Sequence, residues 1–366
     1  MSSVWLPCSD YHWNYGQDQG WWQTTFIKSK MILVLAIMFI GIPVLAPEYW
    51  VGVATMVGYT ALGALGVQLL IGFAGLITLG HAAFIAVGAY TSTMLILQFP
   101  WPPFIVDWGL AYPISIIVAA VVAGIWSVLF GLPSAKVKGF YLILTTMAAQ
   151  FITVDFILTQ YVSQIGGRGQ AFSLPPGTIK IGPWVIDSDV KIYYVMAVLL
   201  TLMVLVLANL LRSRVGRAWV AIRDNDIAAE ALGINIVWYK FLAFFVAGFM
   251  GGIAGAFWVS NTAALSPEHF PWFWSLWLVG VILIGGVGSI HGVIFGSLFM
   301  VVIMELLTIA AIPVSEYFPR VLINFAFIKE MAFGLAICAF LIYEPNGLAY
   351  RWWQIKNYFN LWPFSY

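Results

Sequence analysis

The sequence predicts an all-α polytopic membrane protein of about ten transmembrane helices. Three observations lead there. Hydrophobic residues fill 62% of the 366 positions and charged residues only 8%, with a mean hydropathy of +0.94, whereas a soluble globule carries charge on about a quarter of its residues. Apolar runs of about 20 residues follow one another, each long enough to cross about 30 Å of hydrocarbon as a helix. The runs are continuous and do not alternate with period two, which excludes a closed β-barrel.

Residues 1–30 are polar and aromatic, with Trp13, Trp21 and Trp22 suited to the headgroup zone. They read as an N-terminal cytoplasmic segment along the interface, or as a plain tail. No cleavable signal is read there. Lys28 and Lys30 precede the first apolar run, 31–47, and further runs cover 49–71, 81–98, 110–133 and 138–158. After a long connection, 159–190, come 191–211, 239–260, 272–290, 293–311 and 327–344. The transmembrane domain is thus 31–350, and 351–366 is a C-terminal cytoplasmic tail.

An inside N-terminus puts Lys28, Lys30, Lys136, Lys138, Arg212, Arg214, Arg217, Arg223, Lys240, Arg351 and Lys356 on the inner side. Arg168, Lys180, Lys191, Arg320 and Lys329 fall outside. That asymmetry is the one expected of a correct orientation, with both termini cytoplasmic. Spans divide five and five about residue 175, and an odd number per half turns the second half upside down, as in a 5+5 inverted repeat.

The stretch RAWVAIRDNDIAAEALGINIVWYK, residues 217–240, gathers Arg217, Arg223, Asp224, Asp226, Glu230 and Lys240 on the inner side. The connection 212–238 reads as structured. Asn225 or Asp226 caps a short helix, DIAAEALGI, acidic in its first turn and stopped at Gly233. Ala228, Ala229 and Ala231 let a partner come close, while Ile227, Leu232 and Ile234 offer apolar contact. An ordinary amphipathic helix on the membrane surface fits the same residues.

Glycines interrupt two apolar runs. GFAGLITLGHAAFIAVGAY, residues 72–90, contains Gly72, Gly75, Gly80 and Gly88 with His81; LIGGVGSIHGVIFGSLF, residues 283–299, contains Gly285, Gly286, Gly288, Gly292 and Gly296 with His291. Irregular backbone at membrane depth survives only when buried in protein or lining a polar cavity, so paired breaks indicate a substrate path. Close helix packing through small residues is the other reading. Candidate path residues are Gly75, Thr78, Gly80, His81, Gln150, Gly285, Gly286, Gly288, His291 and Glu305. The two histidines also read as helix-end hydrogen-bonding residues. Glu305 is the most membrane-embedded carboxylate, a costly placement that suggests a role. Gln150 shares a helix with Thr145, Thr146 and Thr153, which can line a polar passage or simply bond between helices.

No G-x-x-x-x-G-K-[ST] loop, H-E-x-x-H helix, G-x-S-x-G elbow or C-x-x-C pair occurs, so enzyme readings have little support. Cys8 and Cys338 lie at opposite ends, and neither a disulfide nor a metal site is expected.

The ordered blocks GFAGLITLGHAAFIAVGAYTS, KVKGFYLILTTMAAQF, RSRVGRAWVAIRDNDIAAEALGINIVWYKFLAF, SPEHF, LIGGVGSIHGVIFG and YEPNGL resemble the LivM type of the branched-chain amino acid and urea family of ABC importer permeases. The resemblance implies the ABC importer permease fold and a non-catalytic subunit importing branched-chain or other apolar amino acids across a bacterial inner membrane. It implies two ATP-binding cassette subunits that use ATP and Mg, with no cofactor bound by this chain. A LivH-type permease would form the other half, and a periplasmic amino-acid-binding protein would dock at 159–190 and 261–271. Lipid surrounds the chain, and no nucleic acid is implied. AAEALGI, residues 228–234, resembles the coupling helix that enters an ATPase groove, with Arg223, Asp224, Asn225, Asp226, Ala229, Glu230, Ala231, Leu232 and Gly233 at the contact. GGRGQAFSLPP, residues 166–176, departs from the family's G-G-x-x-G-L-like segment, so urea or a short amide stays open as cargo. An ion-coupled carrier or channel is the rival of a different class, and it predicts membrane-embedded charge pairs and transport without an ATPase.

Overall fold

A computed structural model describes residues 25–135, 137, 139–162, 172–174, 179–262, 264–317 and 324–361. Among them, eight helices are long and apolar enough to cross a bilayer, and two shorter apolar helices occupy Met31–Leu45 and His81–Leu97. The chain is an all-α polytopic membrane protein, as its apolar runs predict.

Helix α1 runs Thr25–Ala36, widens to a π turn at Ile37–Gly41 and closes with Ile42–Leu45. Helix α2, Glu48–Gln68, follows Pro47 and has Glu48 in its first turn, where an acid suits the helix dipole; it continues as a π segment, Leu69–Phe73. Next come α3, His81–Leu97; α4, Ala111–Gly131; and α5, Phe140–Phe151, which passes into a π segment at Ile152–Val162. Helix α6, Asp189–Arg212, starts with an acid and ends with a base, again matching the dipole. Two short helices, α7 at Arg214–Asp224 and α8 at Asp226–Ala231, lead to α9, Ile236–Thr262. Helices α10, Trp272–Gly285, α11, Ile290–Tyr317, α12, Phe325–Tyr343, and α13, Gly347–Leu361, complete the chain.

Helix α9 is the hub, packed along α4, α3 and α2. Glycines set how close it comes. A Cβ on Gly88 of α3 would fall on the backbone of Gly252, and one on Gly255 on the carbonyl of Ile85. Those helices therefore meet backbone to backbone, the packing small residues allow in lipid. His81 fills a slot on the same seam: a Cβ on Gly66 would stand 2.6 Å from the imidazole and one on Gly251 would stand 3.1 Å from it. The first turn of α3 is held from outside its own helix, because the Ala82 amide donates to Ser275 Oγ on α10 at 2.9 Å. We expect Ser275→Ala to cost about 1 kcal/mol, since it orphans a buried amide, and to lower the thermal unfolding midpoint of the solubilised chain.

Following the chain from helix to helix, the α2–α3 and α10–α11 turns lie on the same side as α7 and α8. Among the described residues the other side carries two short antiparallel ladders, the second of them a hairpin. Phe172–Ser173 pairs with Ala264–Leu265, and Lys180–Ile181 pairs with Trp184–Val185. The first ladder ties together the two connections on that side, 159–190 and 261–271.

Several boundaries differ from the sequence reading. The run 272–290 stops at Gly285, because Gly286 takes φ +117° and Gly288 φ +82°, and α11 begins at Ile290 rather than 293. Helix α1 starts at Thr25, inside the segment assigned to 1–30, and most of the tail 351–366 is helix α13. Trp13, Trp21, Trp22 and Cys8 lie outside the described residues, as does most of 163–178; Cys338 is a free, exposed thiol.

Candidate coupling site and translocation path

Helix α7 is amphipathic and seated by its apolar face. Gly216, Ala218, Trp219 and Ile222 are buried, Ser213 Oγ caps the Val215 amide at 3.2 Å, and Trp219 Nε1 donates to the Tyr239 carbonyl at 2.8 Å. Asn225 then turns the chain and caps α8 by accepting from the Ala228 amide at 3.1 Å. Gly233, with φ +84°, ends that helix, and Asn235 Oδ1 caps α9 through the Trp238 amide at 3.1 Å. Lys240 is buried in the first turns of α9.

The residues of α8 and its C-cap, Leu232, differ sharply in exposure. Ala229 is only 2% exposed and packs inward, whereas Ile227 is 75% and Leu232 81% exposed. Ala229 therefore does not belong to a face offered to a partner, contrary to the sequence reading, because the chain returns over it into α9. Ile227, Ala228, Glu230, Ala231 and Leu232 remain outward. Two large aliphatic side chains on a short, polar-flanked helix outside the membrane spans are an unpaid hydrophobic surface of about 1.5–3 kcal/mol each.

Arg223 also reaches the membrane helices, although its side chain stays 37% exposed. Its Nη1 donates to the Gly72 carbonyl at 2.8 Å, while Nε and Nη2 hold Asp224 Oδ1 at 3.0 and 2.9 Å. Gly75 has φ +69°, and a Cβ there would lie 3.1 Å from Arg223 Cα, so glycine serves both the turn and the approach. The second break arrives at the same place. A Cβ on Gly72 would stand 2.7 Å from Gly288 N, and Gln68 Nε2 donates to the carbonyls of Gly286 and Ser289 at 3.2 and 3.0 Å. Gly286 is backed by α13, where Gly347 lies against it. Both breaks and the end of α7 form one junction.

The breaks are consequently not equivalent positions of two inverted halves. One follows the second apolar helix and the other the eighth, and they meet on one side; inversion would place equivalents on opposite sides. Nor do the ten path residues form one lining. Gly75, Gly285, Gly286 and Gly288 belong to the junction, and His291 is exposed beside it. Thr78 and Gly80 are buried against α5, where the Leu79 amide donates to Thr146 Oγ1 at 3.2 Å. His81 lies fully buried between helices. Gln150 holds the Phe270 carbonyl at 2.9 Å, near the opposite end. Glu305 also lies toward that end and accepts a hydrogen bond from the Tyr49 hydroxyl. Gln68 was missed, although a lone amide just before the first glycine break is the kind of buried polar group that asks for a distant partner. Among the described residues no group of His, Cys, Asp and Glu has the arrangement to hold a metal ion.

A family profile described as "Branched-chain amino acid transport system / permease component" matches residues 49–328. The chain is similar to "High-affinity branched-chain amino acid transport system permease protein LivM" of Escherichia coli and to the protein of the same name in Salmonella typhimurium. Each is 27% identical over 344 residues, covering 88% of this chain and 75% of the relative. "Probable branched-chain amino acid transport permease protein LivM" of Methanocaldococcus jannaschii is 27% identical over 240 residues, 64% of this chain and 67% of its own. No solved structure matches.

Proposed function

The chain belongs to the branched-chain amino acid transport permease family, and on that premise we propose how it couples ATP hydrolysis to movement. It is the permease subunit of an ABC importer for branched-chain amino acids, a multi-pass membrane protein. A urea or amide cargo is not favoured.

In the proposed mechanism, two ATP-binding cassette subunits hydrolyse ATP and Mg-nucleotide binds to them alone. One grips the outward face of α8 through Ile227, Ala228, Glu230, Ala231 and Leu232, with Asp224, Asn225, Asp226 and Gly233 setting the shape of that turn. Arg223 acts on the other side of the same segment, as the tie to the membrane helices. When the ATPases close, α7 and α8 move as one lever, and the Gly72 carbonyl moves with them. The two breaks, already joined through Gln68, then shift together and bias the spans between outward-open and inward-open states. A LivH-type permease supplies the other half. The ladders of Phe172–Ser173 with Ala264–Leu265 and of Lys180–Ile181 with Trp184–Val185 receive a periplasmic amino-acid-binding protein. In this reading both termini lie in the cytoplasm of a bacterial cell and the spans in its inner membrane.

One observation carries the mechanism: the Arg223 guanidinium spans from the coupling segment to the junction of both breaks. Supporting it, Ile227 and Leu232 stand exposed only a few residues away. The test is binding of the ATPase subunit to detergent-solubilised permease carrying Ile227→Asp and Leu232→Asp. Each should weaken capture by about tenfold or more, from the apolar burial lost, without lowering the permease's own unfolding midpoint. Unchanged capture by the double variant would move the contact elsewhere. An ion-coupled carrier predicts, instead, uptake by the permease in liposomes with no ATPase present.

A further inference from the structure

On the side away from α7 and α8, helices α2, α9, α10, α11 and α12 line an open pocket of about 430 Å³. Its size falls within the range of about 300–1,000 Å³ typical of small-molecule sites. Tyr59, Trp258, Phe273, Trp274, Trp277 and Met304 supply most of its apolar wall. That wall is braced: the Trp258 ring lies 5.2 Å from Phe270 and 5.0 Å from His269, whose Nδ1 accepts the Ser266 amide at 3.1 Å.

Two groups of opposite charge join this wall, Glu305 from α11 and Lys329 from α12. Glu305 lies within the apolar helix α11, where an ionisable group is costly and a functional reason is the first to seek; Lys329 stands near the start of α12, at the same end of the bundle. Each is also positioned. The Tyr49 hydroxyl donates to Glu305 Oε1, and the Lys329 ammonium sits 4.8 Å from the centre of the Phe325 ring.

We infer that this cavity receives a free apolar amino acid as its zwitterion. Glu305 takes the α-ammonium, Lys329 the α-carboxylate, and the aromatic and methionine wall the branched side chain. The inference rests on the importer reading and adds to it a reception site within this half of the permease, at the end remote from the ATPases. Its logic is the two-headed one of small-ligand pockets, in which a few polar groups orient a mostly apolar contact.

The experiment measures equilibrium binding of radiolabelled L-leucine to the assembled importer in phosphatidylcholine nanodiscs. Competitors are 4-methylpentanoate, which lacks the ammonium, and leucinamide, which lacks the carboxylate. Wild type should prefer leucine to both by about tenfold or more, the value of a charge-assisted contact. Glu305→Gln should lose the preference over 4-methylpentanoate and keep that over leucinamide; Lys329→Gln should do the reverse. Tyr49→Phe keeps the carboxylate and removes only its orienting hydroxyl, so it should weaken leucine and leucinamide while leaving 4-methylpentanoate unchanged. It serves where a charge variant fails to assemble. Equal weakening of all three ligands, or no change in any preference, overturns the site. Leucine uptake by the wild-type importer separates the two layers: uptake with unaltered preferences in the variants refutes only the cavity, whereas no ATP-driven uptake refutes the importer reading and the cavity with it.

Discussion

Replacing Arg223 by alanine is expected to leave an assembled importer that still hydrolyses ATP but takes up leucine about tenfold to a hundredfold more slowly. The reasoning compares its two bonds. The pair with Asp224 links adjacent residues, with both side chains substantially exposed, and such a pair contributes about 0–1 kcal/mol. The bond from Nη1 to the Gly72 carbonyl joins separate parts of the protein at 2.8 Å, and a hydrogen bond with a charged partner is worth about 1.5–3 kcal/mol. Losing the second therefore matters more. Asp224→Asn should be mild, and Arg223→Lys should rescue poorly, because an ammonium lacks the planar fork that serves Asp224 and Gly72 together. Side-by-side ATPase and uptake rates in proteoliposomes check this. A parallel fall in both rates would mean that Arg223 serves assembly rather than transmission.

The second large effect contrasts two glycines. Gly88→Leu should remove folded protein, because its Cβ would fall on Gly252 backbone, which no rotamer change can clear; overpacking of this kind costs about 1–3 kcal/mol or more. Gly72→Ala, whose contact is with a turn rather than a packed helix, should lower assembly far less than Gly88→Leu and block uptake. Its added methyl would stand 2.7 Å from Gly288 N and 3.1 Å from the Gln68 amide carbon, wedging the two breaks apart on the side where α7 reaches them. The yield of monodisperse complex and its leucine uptake separate the cases. Equal loss of both by Gly72→Ala would return the breaks to simple helix packing.

The helices were legible because a bilayer imposes one requirement on every span, an apolar run of sufficient length, and these runs are nearly unbroken. The connection 212–238 stood out as structured for the opposite reason, since its charges cluster where the rest of the chain has few, and it folds into α7 and α8. Its faces were not legible. Ala228, Ala229 and Ala231 are alike in sequence, and only the return of the chain into α9 buries the middle one. The break at Gly285–Gly288 was marked by its glycines, but the span was drawn on to 290 because sequence does not say which glycine takes the positive φ that ends the helix. Gln68 bonds Gly286 across 218 residues, a relation that local pattern cannot carry. The breaks were grouped by likeness, and their likeness is real, but what unites them is a shared junction rather than internal symmetry. The outer cavity was out of reach for the same reason: its lining is drawn from helices scattered between Met56 and Lys329.

The most direct test of transmission uses spin labels on the assembled importer, with Cys8 and Cys338 first replaced by serine. Labels at Arg214 on α7 and Val287 in the second break, both exposed, report whether lever and junction move as one; a pair at Val287 and exposed Trp108 reports motion relative to the far side. On binding a non-hydrolysable ATP analogue, the predicted result is an unchanged Arg214–Val287 distance and a shifted Val287–Trp108 distance. An Arg214–Val287 distance that changes while Val287–Trp108 stays fixed would contradict it.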